Sequence, residues 1–165
     1  MNSSAYRAPS LLLVAFALAT TGSSAAVASV DAAAIAATIK RDVAQLVAGL
    51  NAHDAVKTTA HDAANIVSIE CGSPPAIGIE ADREGFKTGF ARDPDWRVSL
   101  IEETVDVASS GDLAVYRGTY DEDHGRAGVL MTHKTIFIAE FKRQGDESWK
   151  IVWYSVSNME QSHPK

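Results

Sequence analysis

The sequence predicts an α+β domain in which one curved, cone-shaped antiparallel sheet wraps around a long N-terminal helix and shorter helices. Three observations carry this. Residues 128–158 hold two long β-branched and aromatic runs joined by a short turn at Gly145, Asp146 and Glu147, the pattern of an antiparallel hairpin. Ile35, Ile39, Val43, Leu46, Val47 and Leu50 recur at helical spacing. After the helical part, four strand-like runs follow one another at hairpin spacing, so helices and sheet are segregated rather than alternating. A curved sheet closed on one side by a helix leaves a cone, and a cone is a natural ligand pocket.

The chain has 165 residues, which suits one domain. Residues 1–28 have the layout of a secretory signal peptide: Arg7 as the single charge, an unbroken apolar run over 11–19, then small residues with Ala26-Val27-Ala28 as cleavage site. That run is shorter than the roughly 20 residues a membrane span needs. Export is expected, with no membrane association after cleavage. The folded domain is expected over 31–160, with a C-terminal tail at 161–165. The formal net charge of −6 becomes about −7 without Arg7. Nucleic acid and anionic membranes repel such a chain, and no run of Lys and Arg compensates. Cys71 is the lone cysteine, so no intrachain disulfide forms and stability rests on the core.

In order along the chain, Asp31 is a candidate N-cap for the first helix, which ends near residues 49–51. Asp54 caps a second helix running to Ala63. Residues 65–70 read as a strand, and Gly72-Ser73-Pro74-Pro75 as a loop, because consecutive prolines remove donors and fix φ. A brief strand over 76–79 precedes a helix over 80–92, with Phe86 and Phe90 on one face. The remaining strands are expected at 96–108, 112–120 and within 128–158, separated by Ser109-Ser110-Gly111 and by a polar tip at 121–125.

This order of elements, with HDAANIVSIECGSPPAIGIEADREGF, SSGDLAVYRGTY and SWKIVWYSVSN, resembles the nuclear transport factor 2-like (NTF2-like, cystatin-like) superfamily, in particular its SnoaL-like, ketosteroid-isomerase-like branch of the domain-of-unknown-function 4440 type. The resemblance covers residues 33–158. It implies a conical cavity of the kind used by isomerases, cyclases and dehydratases. Ketosteroid isomerase combines an Asp base with a Tyr and a protonated Asp. The resemblance puts Ile69 at the base position, with Glu70 beside it, Leu46 at the tyrosine position and Phe137 at the buried-acid position. The isomerase groups are therefore replaced. Tyr154 stands where the 4440-type branch places a cavity-facing Asp. A phenol keeps hydrogen-bonding capacity but raises the ordinary pKa from about 4 to about 10.

Strict alternation in the last strand puts Lys150, Val152, Tyr154, Val156 and Asn158 on one face; by the resemblance, Tyr154 and Asn158 face the cavity. His133, Glu70 and Tyr154 are the candidate proton-transfer groups, His133 because an imidazole titrates near neutrality. Tyr116 and Tyr120, on one strand face with Gly118 between them, are candidate ligand contacts where the sheet bends, as is Trp96. Glu140 has the opposite parity to His133, so the two make no dyad. His53 and His61 lie about 12 Å apart on a straight helix, too far for one zinc ion. Asp121-Glu122-Asp123-His124 reads as a solvated hairpin tip without the spacing of a calcium loop. No metal and no cofactor is expected, and no nucleophile-elbow, P-loop or dinucleotide motif is present. The expected function is binding of a small, largely apolar molecule by a homodimer. The alternatives are an isomerase, cyclase or dehydratase working through a pocket His, Glu or Tyr, and a dimeric interaction module.

Overall fold

The computed structural model describes residues 30–165, so the expected signal segment at 1–28 lies outside the described residues. Asp31 caps helix α1 (Ala32–Asn51), its carboxylate accepting from the Ala34 amide at 3.0 Å. Asp54 caps α2 in the same way through the Lys57 amide, but α2 (Ala55–Thr58) is one turn long instead of reaching Ala63. The chain turns at Thr59 and enters strand β1 (Asp62–Glu70), so Asp62 opens a strand where a helix end was expected. Next come β2 (Ala76–Ile77), α3 (Ile79–Arg92) and four long strands, β3 (Arg97–Val107), β4 (Leu113–Arg126), β5 (Val129–Arg143) and β6 (Trp149–Asn158). The expected tail folds back as a short strand, β7 (His163–Pro164), against Met131 and Thr132 of β5.

The sheet order is β2-β1-β6-β5-β4-β3, antiparallel throughout except that β1 runs parallel to β6. It is curved and unclosed. Strand β4 runs six residues past the expected end at Tyr120, and the β4/β5 turn is made by Ala127 and Gly128, both at positive φ. Two such residues in succession match the right-handed twist of the flanking strands. The acidic run 121–124 is therefore inside a paired strand, in register with residues 131–134.

Ile39 and Val43 of α1 are buried against Ile66, Tyr116, Ala139, Phe141 and Ile151 of the concave sheet face. Asn51, at the end of α1, pairs with the Val98 backbone through both its amide groups at 2.9 Å and ties the helix to β3. Phe86 and Phe90, four apart on α3, pack with Trp96 and Leu50 in a second cluster. The two clusters leave the space between α1, α3 and the sheet unfilled. Among the described residues no helix is long and apolar enough to cross a membrane.

Candidate functional site

That space is a cavity of about 320 Å³, within the size range of small-molecule sites. Leu46, Val47 and Leu50 of α1, Phe86 of α3, and Val98, Phe137 and Val156 of the sheet make apolar walls. Two polar centres interrupt them.

The first centre joins β1, α3 and β6. Tyr154 donates to Asp82 Oδ1 at 2.8 Å, and Asp82 in turn meets Asp62 side chain to side chain. Both aspartates are 4% exposed, and Asp62 Oδ1 and Asp82 Oδ2 have no other partner. Two carboxyl groups set against each other in this way resist being ionised together. Burial first, then the Asp82 charge and hydrogen bond, push the Asp62 carboxyl up to about 8. Burial and the same Asp82 charge raise the Tyr154 phenol well above its ordinary value. Glu70 stands at the mouth, open to solvent yet hemmed in by protein. Desolvation, followed by repulsion from Asp82 and Glu122, raises its pKa.

The second centre lies on the β4/β5 ladder. Glu122 and His124 are two residues apart on one strand and so share a face, and His133 is the direct cross-strand partner of Glu122. His124 Nε2 is 3.1 Å from Glu122 Oε1, and His133 Nε2 is 3.6 Å from Glu122 Oε2. The two imidazoles stack at 5.4 Å between centroids, 13° from parallel. Outer groups hold all three. Asp93, at the end of α3, accepts from His124 Nδ1 at 2.7 Å; Ser162 Oγ lies 3.3 Å from His133 Nδ1; Trp96 Nε1 donates to Glu122 Oε1 at 2.7 Å. The Glu122 hydrogen bond, reinforced by Asp93 against the effect of burial, raises the His124 pKa. Burial pushes Glu122 up, but the bonds and charges of His124, Trp96 and His133 outweigh it and leave the carboxyl lowered.

Of the residues singled out from the sequence, His133, Tyr154, Glu70, Tyr120, Asn158 and Trp96 all line the cavity. Tyr116 does not. It is fully buried and donates to Glu103 Oε2 at 3.0 Å while meeting the Tyr120 hydroxyl at 2.6 Å, so it is a core residue carrying a hydrogen-bond relay toward Glu103 and Lys40. Burial pushes the Tyr120 phenol up to about 12. Ile69, at the expected base position, is turned outward at 42% exposure, and its neighbour Glu70 takes the cavity side. Leu46 and Phe137 do line the cavity, as apolar groups.

One correction concerns the acidic cluster. The run at 121–124 is not a solvated tip: Glu122 is 8% exposed and is the centre of the second polar group. A signal for this was available, because Glu122 and His124 continue the parity of Tyr120 along β4. His53 stacks on Phe90 at 4.7 Å, and His61 bonds Gln45 Oε1 at 2.9 Å; neither reaches the cavity lining. Asp62 and Asp82 escaped sequence reasoning because 20 residues and a loop separate them, and each looks locally like a helix-end charge.

No family model and no curated protein matches the chain. Solved structures do. A ketosteroid isomerase-like protein from Erwinia carotovora atroseptica is 18% identical at a TM-score of 0.63, with 76% of this chain and 96% of that one covered. An NTF2-like protein with a cystatin-like fold from Novosphingobium aromaticivorans is 17% identical at a TM-score of 0.64, covering 75% and 81%. The structure of LinA gives a TM-score of 0.70 at 11% identity, covering 78% and 88%. The chain has the fold of the NTF2-like, ketosteroid isomerase-like superfamily. These likenesses define the architecture; the chemistry rests on the site.

Proposed function

We propose that the protein binds a small, largely apolar molecule in the cavity and moves a proton on it, an isomerase- or lyase-type reaction. The observation that carries this is the Asp62–Asp82 pair, two shielded carboxyl groups facing an apolar cavity and supported by Tyr154. Buried carboxyls of this kind cost stability, and perturbed groups in a cavity are hallmarks of acid–base sites. A pair holding one proton carries one acid and one base. The carboxylate takes a proton from carbon next to a carbonyl, and the acid delivers one to another atom of the same molecule, so no proton is gained or lost overall.

The test is exchange of carbon-bound hydrogen in D2O. Small cyclic ketones are incubated with the protein and followed by NMR. Exchange accelerated by the wild type and lost in Asp62→Asn and Asp82→Asn supports the reading. A ketone that enters the cavity, as seen by protein shift changes, but exchanges no faster than in buffer removes it.

The same reading takes the working form as an exported homodimer. Leu100 and Ile101, both 47% exposed on edge strand β3, are covered by the second copy. Sedimentation velocity at micromolar concentration checks this, and a monomer overturns it. Export is checked by N-terminal sequencing of protein recovered outside the cytoplasm, with a new terminus expected just after residue 28.

A further inference from the structure

We propose that Glu122, His124 and His133 form a binding site for one divalent transition cation of the zinc type, with an open coordination position facing the cavity. The three donor atoms lie within 4.8 Å of one another. Metal–nitrogen bonds of about 2.0–2.1 Å put two ligands of a tetrahedral ion about 3.3 Å apart. Glu122 stands near this spacing from both rings, its Oε1 3.1 Å from His124 Nε2 and its Oε2 3.6 Å from His133 Nε2. A ring nitrogen's lone pair lies in the ring plane, so the two imidazoles, stacked at 5.4 Å and 13° from parallel, must tilt toward each other for both Nε2 atoms to meet one ion.

The surroundings are those a metal-bound imidazole has. A ligating histidine nearly always gives its second ring nitrogen to a carboxylate, carbonyl or hydroxyl, which fixes the tautomer and the ring plane. Here Nδ1 of His124 is held by Asp93 and Nδ1 of His133 lies by Ser162 Oγ, so both rings turn Nε2 toward the Glu122 carboxylate. The Trp96 indole fixes that carboxylate from outside the set. The donors come from a rigid ladder, Glu122 and His133 in register and His124 two residues along. Two imidazoles and one carboxylate favour zinc or ferrous iron over magnesium and calcium, which prefer all-oxygen shells. All three ligands line the cavity, and three protein ligands leave a position for water or for an oxygen of the bound molecule. The organic ligand that fits is then one with a carbonyl, hydroxyl or carboxylate oxygen at one end of an apolar body.

The site stands independently of the Asp62–Asp82 chemistry, because the ion is measured without any organic ligand. The purified protein is stripped with chelator and titrated with Co(II), read by visible absorption and by metal content after dialysis. One equivalent with d–d bands of a four- or five-coordinate ion is expected, displaced by Zn(II). His124→Asn/His133→Asn is expected to lose it, while His163→Ala, on the exposed tail, keeps it. Asp93→Asn, outside the coordination sphere, is expected to weaken binding about 10–100-fold without abolishing it. The proposal is overturned if folded wild type takes up no Co(II), or if the double variant binds it as the wild type does. If the double variant does not fold by circular dichroism, Glu122→Gln and Asp93→Asn decide, and unchanged affinity in both overturns the site. In that case the cluster is a carboxylate–imidazole network bridged by protons alone.

Discussion

Asp62 sits in an environment far from its ordinary one. Its carboxyl titrates at 3.8 in the unfolded chain and is pushed up to about 8 by burial beside Asp82, with Lys150 and Arg83 pulling the other way. The folded state thus holds this proton more tightly than the unfolded chain does. The contribution to stability is complete below about pH 4 and is lost as pH rises toward about 8. Urea denaturation across this range is expected to show stability falling with pH. Asp62→Asn should flatten the profile and be the more stable form at pH 8, with each pKa unit worth about 1.4 kcal/mol. A wild-type profile rising with pH over this interval would contradict the shared proton. Tyr154→Phe removes the donor to Asp82 Oδ1 and leaves a buried acceptor unpaired. A loss of about 1–3 kcal/mol is expected from the urea midpoint, and an unchanged midpoint would mean that the bond carries no weight.

Elements were legible where a period runs unbroken, and misread where it breaks. The α1 stripe, the Asp31 and Asp54 caps and the β5/β6 hairpin follow from local pattern. In β6 the pairing passes from Glu140–Trp153 to Phe141–Ile151, so Val152 is an extra residue, a bulge. The bulge cancels strict alternation: Trp149, Ile151 and Tyr154 are all buried, whereas Lys150 reaches the Ala60 carbonyl at the surface. Bulges arise from sheet curvature, a property of the whole sheet that no single strand announces. Gly118 is an element-level constraint that could be read in advance. A Cβ there would lie 2.6 Å from both the Tyr116 hydroxyl and Tyr120 Cε2, so the rings fold over bare backbone. Gly118→Ala is expected to cost about 2 kcal/mol and to displace Tyr120 toward the cavity. Chemical denaturation checks the first effect, and a stability within 0.5 kcal/mol (about the noise for a neutral surface change) would show the strand yielding freely.

For the whole molecule, the cavity is the consequence that joins both scales. The helices cover only part of the concave sheet face, and the uncovered part is lined by Leu46, Phe86, Phe137 and Val156. Anilinonaphthalene sulfonate is expected to fluoresce on binding there. Leu46→Trp, which fills the cavity from α1, should abolish the signal while leaving the melting temperature nearly unchanged. Equal fluorescence from this variant would place the dye elsewhere. The sequence by itself determined the fold class, the order of helices and strands, the hairpin and a minority of the cavity-lining residues, His133 and Tyr154 among them, because these depend on periodicity, caps and turn chemistry within short windows. Only the tertiary structure brought Asp62, at the start of β1, to Asp82 in the first turn of α3. It also turned Glu70 rather than Ile69 inward, sent Tyr116 into the core, and placed Glu122 and His124 beside His133. Those outcomes depend on strand register, one bulge and the length of β4, long-range quantities set by how the sheet closes on its helices rather than by any residue's neighbours in the chain.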